Sequence, residues 1–133
     1  MVNRVEKLSL LSEMIAFAKY DKDIKDIEYN FLLGVARQLE ISREDFDYLI
    51  EHPVTYTHLK SHSERIVQFH RLVLLMNIDS ESSSKGAIKL FNFGLRMGLS
   101  HESISKVLYL MESFPNKIVP PDVLIDIFKT QYN

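Results

Sequence analysis

Residues 41–53 read "ISREDFDYLIEHP", a short helix with both of its ends written into the sequence. Ser42 is a residue type that caps a helix start, because its side-chain oxygen can accept a backbone N–H left unpaired in the first turn. Glu44 and Asp45 place negative charge at the positive end of the helix dipole, and Pro53 cannot continue a helix. Between these ends Phe46, Leu49 and Ile50 recur at three- and four-residue spacing, so one side of the segment is apolar.

The same grammar recurs further along the chain. Residues 14–50, moved forward by the distance from Asp21 to Asp79, fall on residues 72–108 without a gap. Asp23 then meets Glu81, Leu32 meets Leu90, Ile41 meets Leu99, Ser42 meets Ser100 and Glu44 meets Glu102. Phe46, Leu49 and Ile50 land on Ile104, Val107 and Leu108. Apolar periodicity alone aligns many helices by chance; acidic turns and serine caps falling in the same register is a stronger signal.

Read outward from this repeat, the periodicity is helical throughout. Val5, Leu8, Leu11, Ile15 and Ala18 mark a first helix, and Ile27, Phe31, Val35 and Leu39 a second. After the helix at 41–53, residues 54–63 break the pattern and predict the longest loop. A fourth helix is expected from about Ser63 to Met76, followed by a turn over 78–86. A fifth begins near Ala87 and closes near Gly98, and a sixth is capped by Ser100 and stopped by Pro115. Pro120 and Pro121 open a seventh. No segment alternates with period two between hairpin turns. The expected fold is all-α: a compact seven-helix bundle of two pseudo-repeated three-helix units, residues 4–53 and 62–115, plus a C-terminal helix over about 120–130. Each unit alone leaves an apolar face wet, so the two are expected to pack into a single domain.

Composition narrows the chemistry. The chain has 133 residues, a net charge of −2 and no cysteine, which excludes thiol catalysis, thiolate metal sites and disulfides. Its charge balance disfavours broad nucleic-acid binding, which relies on many Lys and Arg neutralising phosphates. The N-terminal residues lack the apolar block of a signal peptide, and no apolar run approaches the ~20 residues of a membrane span. A cytoplasmic protein is expected.

The acidic turn "DKDIKDIE", residues 21–28, is where chemistry could lie. Asp21 and Asp23 are two apart in a turn, and Glu28 can reach back from the following helix; Asp79 and Glu81 repeat part of this set. Such carboxylates could hold a divalent cation, or could cap the helix and complement its dipole. An EF-hand is excluded: counted from Asp21, the glycine and glutamate it requires are Asp26 and Leu32. His58 and His62 sit four apart in a predicted loop and read as surface histidines. His70, on an apolar helix, reads as a core-edge histidine with a hydrogen-bonded ring. The four glycines are scattered over helical positions and form no phosphate cradle.

The spacing Ala18-x-Tyr20-Asp21-Lys22-x-Ile24-x-x-x-Glu28 resembles the motif of the TerB-like family, the tellurite-resistance B proteins and their relatives. The family pattern is Ala-x-Ala-Asp-Gly-x-Ile-x-x-x-Glu at the turn between two long helices. Here Tyr20 and Lys22 replace the alanine and glycine, and Gly86 stands in the second copy where Glu28 stands in the first. The resemblance implies a non-catalytic protein-interaction or scaffold module in a stress response. It places that module with protein partners, near a membrane-associated complex, as a monomer or homodimer. It implies no certain cofactor; the alternative it carries is a divalent-metal-binding or metal-sensing protein, holding Mg²⁺, Ca²⁺ or Zn²⁺ at Asp21, Asp23, Glu28, Asp79 and Glu81.

Overall fold

A computed structural model describes residues 2–20, 22–55, 59, 61–78 and 84–129. Seven α-helices are described, α1 (Arg4–Lys19), α2 (Asp26–Gln38), α3 (Arg43–Glu51), α4 (His62–Asn77), α5 (Ser84–Arg96), α6 (His101–Met111) and α7 (Pro121–Lys129). A 3-10 turn at Pro115–Lys117 precedes α7, and no strand occurs among the described residues. The fold class is all-α. The chain divides into two compact units, Met1–Leu59 with α1–α3 and Lys60–Asn133 with α4–α7.

The repeat legible in the sequence is reproduced element for element. The helices start at Arg4 and His62, Asp26 and Ser84, and Arg43 and His101, each pair separated by the 58 positions between Asp21 and Asp79. The match extends to backbone conformation. Helix α2 ends with Glu40 in the left-handed region (φ 61°), and α5 ends with Gly98 there (φ 84°). The Glu40 N–H donates to the Arg37 carbonyl and the Ile41 N–H to that of Ala36; Gly98 and Leu99 do the same to Leu95 and Gly94. These paired bonds satisfy the carbonyls left open at a helix end. The next residue, Ile41 or Leu99, is buried, and the serine after it caps the following helix. Ser42 Oγ accepts the Asp45 N–H at 3.1 Å, and Ser100 Oγ accepts the Ser103 N–H at 3.1 Å. One step thus ends one helix, drops an apolar anchor into the core and starts the next.

Only one copy has the residue this step favours. A side chain at positive φ crowds its own backbone, so Glu40 carries strain that Gly98 avoids. Glu40→Gly is therefore expected to raise stability by about 0.5–1 kcal/mol, after the entropy glycine adds to the unfolded chain. Gly98→Ala should lower it by a similar amount, its new Cβ also meeting Arg65 Nη1 at 3.0 Å. Chemical-denaturation midpoints check both.

Within the first unit, α1 starts on a capping box: Asn3 Oδ1 accepts the Glu6 N–H and the Glu6 carboxylate accepts the Asn3 N–H. The core is Leu11, Met14, Phe17, Leu32, Ala36 and Phe46, all nearly free of solvent. Arg4 bridges to Asp45 at 2.9 Å, and the Tyr29 hydroxyl donates to Asp47, joining α2 to α3. That bond, with a smaller contribution from burial, raises the Tyr29 pKa.

The core of the second unit is Phe69, Leu72, Val73, Leu90, Ile104, Val107, Leu124 and Phe128. Helix α5 comes close at Gly94, where a Cβ would stand 2.7 Å from Ile104 Cδ1 and 2.9 Å from Phe69 Cε1. Its counterpart in the first unit is Ala36, also small and buried. Helix α7 packs on α4 and α6 and so belongs to this unit.

Several boundaries differ from the sequence reading. Helix α4 starts at His62, capped by Ser61. Helix α6 ends at Met111, four residues before Pro115, because proline disfavours a helical residue ahead of it and Phe114 is extended (φ −108°, ψ 149°). Parts of the expected loop at 54–63 and turn at 78–86, and position 130 of the expected C-terminal helix, lie outside the described residues.

Candidate functional site

The acidic turn of the first unit is built around Glu28. Helix α2 begins without a side-chain cap, since the residue in that position is Lys25, which has no acceptor. Glu28, third in the helix, supplies the missing acceptor from the other side. Its Oε1 takes the Lys25 N–H at 3.0 Å. The Lys22 ammonium lies 3.2 Å from Oε1 and 3.2 Å from Oε2. The side chain of Glu28 is 5% exposed and that of Lys22 31%, so the carboxylate is buried and its counter-charge reaches partly into water.

The five sequence-predicted metal ligands fare differently. Glu28 reaches back across the turn, and both of its oxygens engage the chain's own cation. Asp23 is exposed and does not cap α2; that role passes to Glu28, because Asp23 precedes the N-cap by two residues. Asp21, Asp79 and Glu81 lie outside the described residues. Among the described residues no group of three His, Asp or Glu side chains could hold a metal ion. An ion bound at Glu28 would first have to displace Lys22, whose ammonium already lies against both carboxylate oxygens.

Removing the carboxylate should expose its structural worth. Glu28→Ala leaves the Lys25 N–H without this partner and is expected to cost about 1 kcal/mol, while Glu28→Gln, which keeps an acceptor, should cost less. Urea-unfolding midpoints of the two variants check the difference.

The histidines are placed as structural groups. His58 lies outside the described residues. His62 is the first residue of α4 and is half-buried, not a loop residue at the surface; its Nε2 lies 3.4 Å from the Phe128 carbonyl oxygen. His70 is half-buried and hydrogen-bonds to the Val119 backbone. Sequence reasoning missed that α4 and α6 hold the segment after Phe114 through its main chain. Asn77 Nδ2 donates to the Lys117 carbonyl at 2.8 Å, and Ser103 Oγ to that of Ile127 at 3.5 Å. Nothing in a sequence marks such pairs, because every residue offers the same carbonyl.

Exposed apolar side chains form a further feature. On α5, Ile88 is 62% and Leu95 41% exposed. Phe91 lies between them, half-buried with its ring edge-to-face against His101 at 4.9 Å. These positions, three and four residues apart, form one stripe on the helix. Among the described residues no helix is long and apolar enough to cross a membrane.

Comparison with protein-family models, with curated proteins and with solved structures finds no match to this chain in any of the three.

Proposed function

We propose that this chain is a non-catalytic protein-interaction module of the TerB-like kind, a cytoplasmic scaffold that holds partner proteins in a stress response similar to tellurite resistance. The observation that supports this reading is the stripe of Ile88, Phe91 and Leu95 on α5, apolar side chains left toward solvent at the spacing that suits an amphipathic helix of a partner. Helix α5 has an apolar inner face as well, so these outer residues are not needed to hold it against α4 and α6.

The alternative, a divalent-metal-binding or metal-sensing protein, rests on the acidic turns. In the first of these, Lys22 and the Lys25 N–H already engage Glu28. That engagement favours the interaction reading.

The test is capture from native lysate by the immobilised chain, run beside a variant carrying both Ile88→Glu and Leu95→Glu. Circular dichroism establishes that the variant is folded. The expected result is a set of proteins retained by the wild type and lost from the variant. Equal retention by both, or retention by neither, would contradict the proposal.

A further inference from the structure

The segment after Phe114 returns along α4, and four side chains hold it by its main chain. His62, His70 and Asn77 of α4 reach the backbone of Phe128, Val119 and Lys117, and Ser103 of α6 reaches that of Ile127. Apolar contact adds to this seam: Val119, Leu124 and Phe128 are fully buried, and the Phe128 ring meets Phe69 edge-on at 5.5 Å. The segment enters through two consecutive left-handed residues, Asn116 (φ 56°) and Lys117 (φ 59°). Asparagine tolerates this region, whereas the Lys117 side chain crowds its own backbone there.

Two of these side chains are imidazoles: His62, whose Nε2 lies 3.4 Å from the Phe128 carbonyl oxygen, and His70, whose ring lies beside the Val119 backbone. The His70 Nε2 is buried and has no partner among the described residues, while the ring lies against the Val119 backbone. A neutral ring meets that arrangement. A protonated ring carries a second N–H with no acceptor and a charge beside Arg71. Burial accordingly holds the His70 pKa below its ordinary value of 6.5, against the opposing effect of the Val119 bond.

Among the described residues no carboxylate contributes to the electrostatics of His70. On the segment itself the Lys117 ammonium lies 3.7 Å from Glu112. Asp122, Asp126 and Lys129 occupy exposed positions on α7. Helix α5 contributes Lys85, Lys89 and Arg96, all of the same sign as a protonated imidazole. On α4, Glu64 acts on Arg71.

We propose that residues 115–129 form a pH-sensitive strap, docked on α4 while His70 is uncharged and loosened by its protonation. The sign follows from linkage. The undocked segment leaves the ring in water, where it binds a proton near its ordinary pKa; the docked ring binds one only at lower pH. Docking stability is fully present above the ordinary value and falls as pH drops from there through the docked pKa.

Amide hydrogen exchange on the full chain, corrected for the intrinsic pH dependence of exchange, tests this between about pH 7.5 and about pH 5.5. The expected result is a several-fold acceleration of residues 115–129 relative to α1–α3 at the lower pH. In His70→Asn, which keeps a donor near Val119 but cannot titrate, that acceleration should vanish. Equal acceleration in His70→Asn, or none in the wild type, would overturn the strap. Should His70→Asn fail to fold, an NMR titration of the wild-type imidazole decides: a midpoint below the ordinary value supports the proposal, and one at or above it overturns it.

Discussion

Phe69→Ala is expected to lower the stability of the second unit by about 3–5 kcal/mol, a large fraction of the 5–15 kcal/mol typical of a folded domain. Phe69 has no solvent exposure. It stands where three helices meet, its ring edge-on to Phe128 of α7 and its Cε1 close to Gly94 of α5. The space left by alanine cannot be filled by its neighbours, because Leu72, Val73, Leu90 and Ile104 are themselves fully packed. Phe69→Leu, which retains much of the volume, should lose distinctly less. Chemical denaturation followed by circular dichroism measures both. A loss near 1 kcal/mol for alanine would mean that the crossing of α4, α5 and α7 is looser than described.

Phe46→Ala should have a similar effect in the first unit, about 3–5 kcal/mol by the same mechanism. Phe46 is fully buried where α3 turns back on α1 and α2, with its ring 5.5 Å from that of Tyr29. Helix α3 has only nine residues, too few for a stable helix in isolation, and depends on Phe46 and Leu49 to hold it down. The matching readout is amide exchange: protection of α3 should fall most. Undiminished protection there would contradict the assignment of Phe46 as its anchor.

Much of this architecture was legible in the sequence, for reasons that differ by element. Ser42 and Ser100 announced their helices because a cap is a local bond, formed within four residues. Leu32, Leu90, Phe46 and Ile104 were legible as core because burial imposes a period on the helix. The left-handed Glu40 was not, since glutamate carries no signal for that conformation; only its counterpart Gly98 hints at it. The last residue of α6, Met111, was not legible, because Pro115 marks where a helix cannot be and not where the preceding one stops. At the acidic turn, the reach of Glu28 back toward the turn could be anticipated. Its close pairing with Lys22 depends on a turn that brings residues six apart into contact, and helical periodicity says nothing about turns. The hydrogen bonds along the C-terminal segment left no trace, because their acceptors are main-chain carbonyls.

In the first acidic turn, the interaction and cation-binding readings expect different states of the Glu28 carboxylate. Isothermal titration of Mg²⁺, Ca²⁺ and Zn²⁺ into the wild-type chain and into Glu28→Gln reads that state directly. With Glu28 held by Lys22 and the Lys25 N–H, neither protein should give saturable heat. Saturable heat in the wild type that disappears in Glu28→Gln would contradict the interaction reading and make the turn a metal site.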